Sequence, residues 1–298
     1  MVRYISTIIF LLLLTTNVDA SIEYNGTAVS AIKTYSTAWD DITPKAHSGG
    51  YWLALISYVT HHFFVDIGQS NACGYSNSVN TLSGVGGIEI KTNGTLVTPV
   101  TDPCGQAVGK FDATVKGSSW PAFAKKYAEI SSKPPIILCL GAMAAGLTSD
   151  PYESGQWAVG AADLYASAKT HIDSAIATLE SDGYKIDFKG FIFWQGETDG
   201  QINVSTAAYQ AALETLATQY FSDYSAWGTD LNFYLIKIKN NGANDYKIRD
   251  ADDNASVGNV RIKVAFENPY TGADEHHTQA EYDVIGEAVA TYINEVIE

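Results

Sequence analysis

Short apolar runs rich in β-branched and aromatic residues alternate along this chain with longer amphipathic stretches. This alternation is typical of parallel strands, because such strands are buried on both faces and need a helical crossover to connect them. The sequence therefore predicts an α/β fold, a three-layer α/β/α sandwich with a central, mainly parallel sheet. The predicted strands cover residues 62–67, 135–140, 190–194, 231–238 and 260–266. The predicted helices cover residues 120–130, 156–179 and 206–220, with a last helix from Thr278 onward and a polar surface loop at 240–258.

The start of the chain has the pattern of a secretory signal peptide. Arg3 supplies a positive charge, residues 8–14 are apolar, and small side chains follow at a plausible cleavage site. The apolar run is too short to cross a bilayer, which takes about 20 apolar residues. We therefore expect a secreted protein that is free of the membrane once residues 1–20 are removed. Residues 21–298 are expected to form one domain, within which 21–60 have no assigned structure.

The net charge and the glycosylation sequons of the chain indicate which partners and which compartment suit it. A formal charge of −15 disfavours a nucleic-acid partner, because a polyanion would be repelled. The sequence gives no indication of the oligomeric state. Four sequons for N-linked glycosylation suit a secreted glycoprotein, and they begin at Asn25, Asn93, Asn203 and Asn254.

The chain has three cysteines. Cys139 lies inside an apolar run and is expected to be a buried free thiol. Cys73 and Cys104 lie in polar, turn-rich segments. In an oxidising compartment, a disulfide between them and two free thiols are both open alternatives.

Three polar clusters follow predicted strands or precede the last helix. They cover residues 68–72 (Gly-Gln-Ser-Asn-Ala), 195–199 (Gln-Gly-Glu-Thr-Asp) and 274–277 (Asp-Glu-His-His). Ligands of open parallel sheets bind where loops leave the carboxyl ends of the strands. A serine, a histidine and carboxylates at that rim are the parts of a nucleophilic hydrolase, since serine needs a base to take its proton.

These clusters carry a resemblance to a known family. The segment Val65-Asp-Ile-Gly-Gln-Ser-Asn71 resembles the first block of SGNH (GDSL) hydrolases in the branch of sialate O-acetylesterases and acetyl xylan esterases, related to carbohydrate esterase family 6. Phe193-Trp-Gln-Gly-Glu-Thr-Asp199 and His276-His-Thr-Gln-Ala-Glu-Tyr-Asp-Val-Ile-Gly286 resemble two later blocks, in family order. The resemblance implies a flavodoxin-like fold and a serine esterase that removes O-acetyl groups from carbohydrate, with neither a metal nor an organic cofactor.

The resemblance also implies roles for individual residues. Ser70 would be the nucleophile that forms an acyl-enzyme. The oxyanion hole would combine the backbone N–H groups of Ser70 and Gly146 with the side-chain amide of Gln195. Asn71 and Gln69 would position the first loop or the substrate.

The base and its orienting carboxylate have two candidates each. The family's spacing of an Asp three residues before the His selects Asp274 and His277. The family's other spacing, with the His two residues before the cap of the last helix and ten before a glycine, selects His276 from Thr278 and Gly286. We prefer His276 because a helix fixes geometry more rigidly than the loop ahead of it. Glu197 competes with Asp274 as the orienting carboxylate, and Glu275 is expected to be a solvated neighbour.

Two alternative functions remain at this point. An SGNH lipase or thioesterase would need a pocket for a longer acyl chain. A carbohydrate-binding protein without turnover would explain the unusual histidine spacing. The preferred function is a secreted esterase whose partner is an acetylated polysaccharide or an acetylated sialic acid.

Overall fold

The structure is a computed structural model that describes residues 59–298 with six short gaps, together with four short strands ahead of them. The gaps are residues 77, 80–85, 111–115, 161–163, 229 and 273. The chain divides into two compact units, Met1–Ser57 and Tyr58–Glu298. The predicted signal peptide and the sequon at Asn25 lie outside the described residues.

The first unit contains two antiparallel pairs of short strands. Strand β1 pairs with β2, and β3 pairs with β4. Their bounds are Ile22–Tyr24, Thr27–Val29, Pro44–Ala46 and Trp52–Ala54.

The second unit is built on one eight-stranded sheet. The strand order is β12-β11-β10-β5-β9-β6-β7, and β8 pairs separately with β9. The described pairs are parallel except for β6 with β7, as the alternating sequence pattern predicts. The strands are β5 (Thr60–Gly68), β6 (Ile88–Ile90), β7 (Leu96–Val97), β8 (Gln106–Ala107), β9 (Pro135–Gly141), β10 (Lys185–Trp194), β11 (Asn232–Ile236) and β12 (Ile262–Phe266).

Seven helices accompany this sheet in the described part of the chain. None of them combines the length and the apolarity that a membrane span requires. They are α1 (Ser70–Cys73), α2 (Trp120–Ile130), α3 (Leu164–Ser181), α4 (Glu197–Gln201), α5 (Thr206–Asp223), α6 (Asp245–Gly258) and α7 (Gln279–Ile297).

Helices cover both faces of the sheet, which confirms the predicted three layers. Successive side chains of a strand point to opposite faces, and Phe63 and Phe64 of β5 follow this rule. The Phe64 ring lies 5.6 Å from that of Phe123 in α2, and α2 packs against α7. On the other face, Phe63 contacts Phe188 of β10, whose ring lies 5.4 Å from Tyr224 at the end of α5.

The strand order indicates a ligand site at the carboxyl end of β5, at the edge that we call the rim of the sheet. This strand lies between β9 and β10: the chain leaves β5 toward β6 on one side of the sheet, and after β9 it crosses to β10 on the other side. Open α/β sheets bind their ligands at such switch points. The first polar cluster follows β5 and the second follows β10, which brings both to the same rim.

One predicted element is wrong: residues 240–258 are not all loop, because Asp245–Gly258 forms α6. Its buried side chains include Ile248, Ala251 and Ala255, spaced three and four residues apart. That spacing places them on one helix face. The many Asp and Asn residues of the segment, which favour caps and turns, hide this pattern in the sequence.

A second prediction was too long at its start. The helix predicted for residues 156–179 is observed as Leu164–Ser181. Gly155 and Gly160 have positive φ angles of 98° and 88°, which do not fit a right-handed helix. The residues around these glycines form turns instead.

All three cysteines are buried free thiols. This confirms the prediction for Cys139 and contradicts a bridge between Cys73 and Cys104. Cys73 points at the end of β9, where a Cβ on Gly141 would lie 2.1 Å from its sulfur. The Cys104 thiol instead donates to the carbonyl oxygen of Thr101 at 3.4 Å.

Candidate active site

Ser70 is the first residue of α1, immediately after the sharp turn that ends β5. The turn depends on Gly68, because a Cβ there would lie 2.1 Å from the carbonyl oxygen of Trp194 and 2.8 Å from the Cβ of Ala72. The missing side chain therefore lets α1 fold back over the end of β10. Its first residue, Ser70, is thereby held at the rim of the sheet.

The structure brings Ser70, His276 and Asp274 together in a row. The Nε2 atom of His276 lies 2.9 Å from the Ser70 Oγ. The Nδ1 atom of the same ring lies 3.4 Å from Oδ1 of Asp274, which also accepts the backbone N–H of His276 at 2.9 Å. Ser70, His276 and Asp274 therefore lie in the order that a nucleophile, its base and an orienting carboxylate would need.

The burial of His276 favours the neutral form of its imidazole. Burial lowers the pKa of His276, and the nearby carboxylates of Glu275 and Asp274 offset part of that effect. The ring also packs against Tyr75, with ring centroids 4.2 Å apart. A neutral imidazole can accept the serine proton, which a protonated one cannot.

His277 points away from the serine, into the protein. Its Nε2 lies 3.2 Å from Nδ2 of Asn268, and its ring contacts Trp194 and Tyr282. Burial lowers the pKa of His277 to about 3. Of the two histidines, the structure thus places His276 beside Ser70, as the spacing from the last helix predicts.

Glu197 is placed beside Asn71 rather than beside the histidine. Its Oε1 accepts from Nδ2 of Asn71 at 2.5 Å. The same Asn71 nitrogen donates to the carbonyl oxygen of Glu275 at 3.1 Å, and Asn71 Oδ1 accepts from Tyr282 at 2.7 Å. Asn71 therefore ties the nucleophile helix to the histidine loop and to α7. Asp274, not Glu197, is the carboxylate at His276.

Burial raises the pKa of Glu197 to about 7. The hydrogen bond from Asn71 acts in the opposite direction, because it favours the carboxylate. The second oxygen, Oε2, is buried and has no hydrogen-bond partner among the described residues. Glu197 is therefore a buried carboxyl group with a raised pKa, in the hydrogen-bond network of Asn71, the neighbour of Ser70.

Gln195 does not face the serine, contrary to its expected role in the oxyanion hole. Its Nε2 donates to the carbonyl oxygen of Ala145 at 3.1 Å and to Oδ2 of Asp199 at 2.8 Å. Its Oε1 accepts from the Tyr209 hydroxyl at 2.8 Å. Both amide hydrogens are engaged inside the protein, so Gln195 braces the loop after β9 instead of donating to substrate.

Asp199 is a site residue that the sequence analysis left without a role. It is fully buried, and its two oxygens accept four hydrogen bonds. The donors are the backbone N–H of Leu147 at 2.7 Å, the N–H and the hydroxyl of Thr148 at 3.0 and 2.7 Å, and the amide of Gln195. Asp199 thus fixes the loop that carries Gly146. Its position in the same motif block as Gln195 was the available signal.

Gly146 and Gln69 lie on loops at the same rim. Position 146 has room only for a glycine, because a Cβ there would lie 2.0 Å from the carbonyl oxygen of Ser149. Gln69 joins the first and second polar clusters: its backbone N–H donates to Trp194, and its Oε1 accepts from the N–H of Thr198 at 3.4 Å.

A cavity of about 470 Å³ opens beside His276 and Asp274. Tyr75, Lys116 and Lys239 contribute to its lining. Lys239 also donates to the carbonyl oxygen of His276 at 2.5 Å, which holds the histidine loop. Among the described residues, no three His, Cys, Asp or Glu side chains are grouped as metal ligands.

The comparison with known families agrees with this geometry. The family described as carbohydrate esterase, sialic acid-specific acetylesterase, matches residues 60–295. The chain belongs to this family. It is therefore a carboxylic ester hydrolase that acts on carbohydrate, and the family resemblance of its motifs is confirmed.

Solved structures show that the fold of this carbohydrate esterase is shared. A protein from Arabidopsis thaliana is 15% identical, with a TM-score of 0.60 over 80% of this chain and 98% of the other. NanS is 13% identical, with a TM-score of 0.58 over 81% of this chain and 98% of its own. No curated protein sequence matches the chain significantly.

Proposed function

We propose that this carbohydrate esterase is a secreted serine esterase that removes O-acetyl groups from its substrate through an acyl-enzyme on Ser70. The single observation that carries the proposal is the 2.9 Å distance between Nε2 of His276 and Oγ of Ser70. This is the distance at which a general base can take the serine proton. Asp274 at the other ring nitrogen would stabilise the resulting imidazolium.

The reaction would proceed in two balanced halves. Ser70 Oγ attacks the acetyl carbonyl carbon while its proton passes to His276, which gives a tetrahedral oxyanion. The sugar oxygen leaves with the proton from His276, and the acetyl group remains on Ser70. A water molecule then attacks the acyl-enzyme with His276 as base, and acetate is released as Ser70 regains its proton.

Backbone groups would stabilise the oxyanion. The N–H of Ser70 lies at the start of α1, and the N–H of Gly146 belongs to the loop that Asp199 fixes. Fixed donors of this kind stabilise developing charge without reorganising during the reaction. The engagement of Gln195 inside the protein supports assigning the hole to backbone groups.

The cavity beside His276 supports a polar alcohol, such as a sugar, as the part of the substrate that carries the acetyl group. Charged and polar side chains, among them Lys116, Lys239 and Asp274, contribute to its lining. Such a surface matches sugar hydroxyls better than the long apolar chain of a lipase substrate. The pattern of residues 1–20 supports secretion.

The test compares hydrolysis of p-nitrophenyl acetate and p-nitrophenyl butyrate by the wild type and by Ser70→Ala. We expect the acetate ester to be hydrolysed faster, and Ser70→Ala to lower kcat by at least about a thousandfold with the melting temperature unchanged. A variant that keeps a tenth of wild-type turnover would contradict the nucleophile assignment. Faster hydrolysis of the butyrate ester would favour a longer-chain esterase.

A further inference from the structure

A run of connected polar and aromatic side chains crosses the surface beside the histidine loop. It starts at Glu275, the residue before His276. Gln201, at the end of α4, donates from Nε2 to Oε2 of Glu275 at 2.9 Å. The hydroxyl of Tyr152, on the loop after β9, donates to Oε1 of the same glutamine at 3.2 Å. Three separate elements of the rim are therefore joined by side chains.

The run continues from α4 to the start of α6. Asn203 follows Gln201 by two residues, and its Oδ1 accepts a hydrogen bond from Nζ of Lys247. The same Lys247 nitrogen lies 5.9 Å from the ring centroid of Tyr246. We name this surface the rim strip, which consists of Glu275, Gln201, Tyr152, Asn203, Lys247 and Tyr246.

In the part of the chain that the structure describes, large exposed aromatic side chains lie on the rim strip. Among the described residues, the large hydrophobic side chains that are exposed include two aromatic ones, Tyr152 and Tyr246, at 43% and 51% exposure. Both belong to the rim strip. Ile202, which follows Gln201, is exposed beside them at 36%. Apolar surface of this kind, framed by polar groups, marks an interaction site.

We propose that the rim strip binds a neutral oligosaccharide chain, so that this site acts on acetylated oligosaccharides or polysaccharides in preference to a free sugar. The proposal rests on the proposed function. The C–H face of a pyranose ring can stack on Tyr152 and Tyr246, and the Tyr152 hydroxyl oxygen, although its hydrogen is donated to Gln201, can still accept a hydrogen bond. The amides of Gln201 and Asn203 can bind hydroxyl groups along the edges of the rings.

Two further observations select this occupant. The formal charges of the rim strip, on Glu275 and Lys247, cancel, so a neutral chain is matched better than one with many carboxylates. The strip is also continuous with the candidate active site, because the backbone carbonyl oxygen of Glu275 accepts from Asn71, the neighbour of Ser70. A chain lying along the strip would therefore bring one of its acetylated residues to the serine.

Binding is measured by titration calorimetry on the full chain carrying Ser70→Ala, with xylohexaose, cellohexaose and the two monosaccharides as probes. We expect at least one hexasaccharide to bind ten times more tightly than its monosaccharide. Tyr152→Ala and Tyr246→Ala should each weaken that binding about three- to tenfold, the range of one aromatic contact. Tyr246→Phe, which keeps the ring, should restore most of it.

Val257→Ala is the matched control, because Val257 is 86% exposed at the far end of the same helix as Tyr246. It should leave hexasaccharide binding unchanged. Equal affinity for hexasaccharides and monosaccharides, or equal effects of Val257→Ala and Tyr246→Ala, would overturn the proposal. Melting temperatures of all variants identify any loss of folding.

The two proposals fail in different ways. Hydrolysis of p-nitrophenyl acetate by the wild type, without a preference for hexasaccharides, would support the esterase and overturn the rim strip. Hexasaccharide binding that Tyr246→Ala weakens, in a wild type that hydrolyses no acetate ester, would support the rim strip and overturn the esterase.

The sequon at Asn203 gives a second, independent test. A glycan attached to Asn203 would cover the rim strip, so the proposal requires this sequon to remain unmodified. Peptide mass spectrometry on the protein from a secreting eukaryotic host should find unmodified Asn203. Full occupancy of Asn203 would overturn the proposal.

Discussion

Asp199 is expected to be a positioning residue whose loss lowers kcat without changing substrate binding. In Asp199→Asn, one carboxylate oxygen becomes an NH₂ group of the same size. If the NH₂ replaces Oδ2, it faces the N–H of Leu147 and the amide of Gln195. If it replaces Oδ1, it faces the N–H and the hydroxyl of Thr148. In either orientation, the new NH₂ group faces backbone N–H or side-chain donors instead of accepting from them, so hydrogen bonds to the former carboxylate are lost.

The expected magnitude follows from these bonds. A hydrogen bond to a buried charged group contributes about 1.5–3 kcal/mol, so losing two removes roughly 3–6 kcal/mol from the interactions that hold the Gly146 loop. Release of the Gly146 loop would remove one donor from the proposed oxyanion hole. Loss of one such donor costs about 10²- to 10³-fold in kcat. We therefore expect Asp199→Asn to lower kcat by that factor with KM nearly constant.

The assay compares steady-state kinetics on p-nitrophenyl acetate with inhibition by phenylboronic acid, which forms a tetrahedral adduct with an activated serine. The inhibition constant should rise by about the same factor as kcat falls, because both report on stabilisation of the tetrahedral species. Thr148→Val, which removes the hydroxyl and keeps the backbone N–H, should lower kcat by no more than about tenfold. If Asp199→Asn raised KM and left kcat and boronate inhibition unchanged, the positioning role would be refuted.

Three further predictions concern the histidine pair, the buried carboxyls and the turn before the nucleophile. His276→Ala should lower kcat nearly as much as loss of the serine, whereas His277→Ala should keep most turnover; the opposite ranking in p-nitrophenyl acetate kinetics would reject the assignment of the base. Burial raises the pKa values of Glu89 and Glu197 from 4.5 in the unfolded chain to about 7 in the folded protein. Between these two pH values the folded state keeps protons that the unfolded state has lost. The free energy of unfolding should therefore fall as the pH rises from about 4.5 to 7, by up to about 3 kcal/mol for each group. Urea unfolding at pH 5 and pH 7.5 should show this loss, and Glu89→Gln should reduce it; an unchanged pH dependence in that variant would contradict the prediction. Gly68→Ala should yield no soluble folded enzyme, because its Cβ would meet a backbone carbonyl at 2.1 Å, and an active, stable variant would show that the turn can relax.

The sheet could be predicted because its signal is local in the sequence, and the Ser70–His276 pair because the motif blocks that carry both residues resemble those of a known family. Buried parallel strands are continuous apolar runs, and β9 is buried throughout its length, as its sequence Pro-Ile-Ile-Leu-Cys-Leu-Gly indicates. The choice of His276 followed from its distance to the last helix, which a capping box at Thr278 and Glu281 fixes.

The roles of Gln195, Glu197 and Asp199 could not be separated from sequence. These three side chains lie within five residues, and all can accept hydrogen bonds. Their partners depend on the turn into α4, which directs Glu197 to Asn71 and Asp199 to the loop after β9. Spacing in the sequence does not encode which of two neighbouring loops each carboxylate meets.

The most direct test of the central claim is to identify the residue that a fluorophosphonate modifies. Such a reagent loses fluoride to an activated serine oxygen and leaves a stable phosphonyl ester that peptide mass spectrometry can locate. The account predicts one modified peptide, labelled at Ser70, in the wild type and in His277→Ala, with labelling slowed by orders of magnitude in His276→Ala. Modification of a different serine, or equal labelling rates in the two histidine variants, would contradict the assignment of Ser70 and His276 as nucleophile and base.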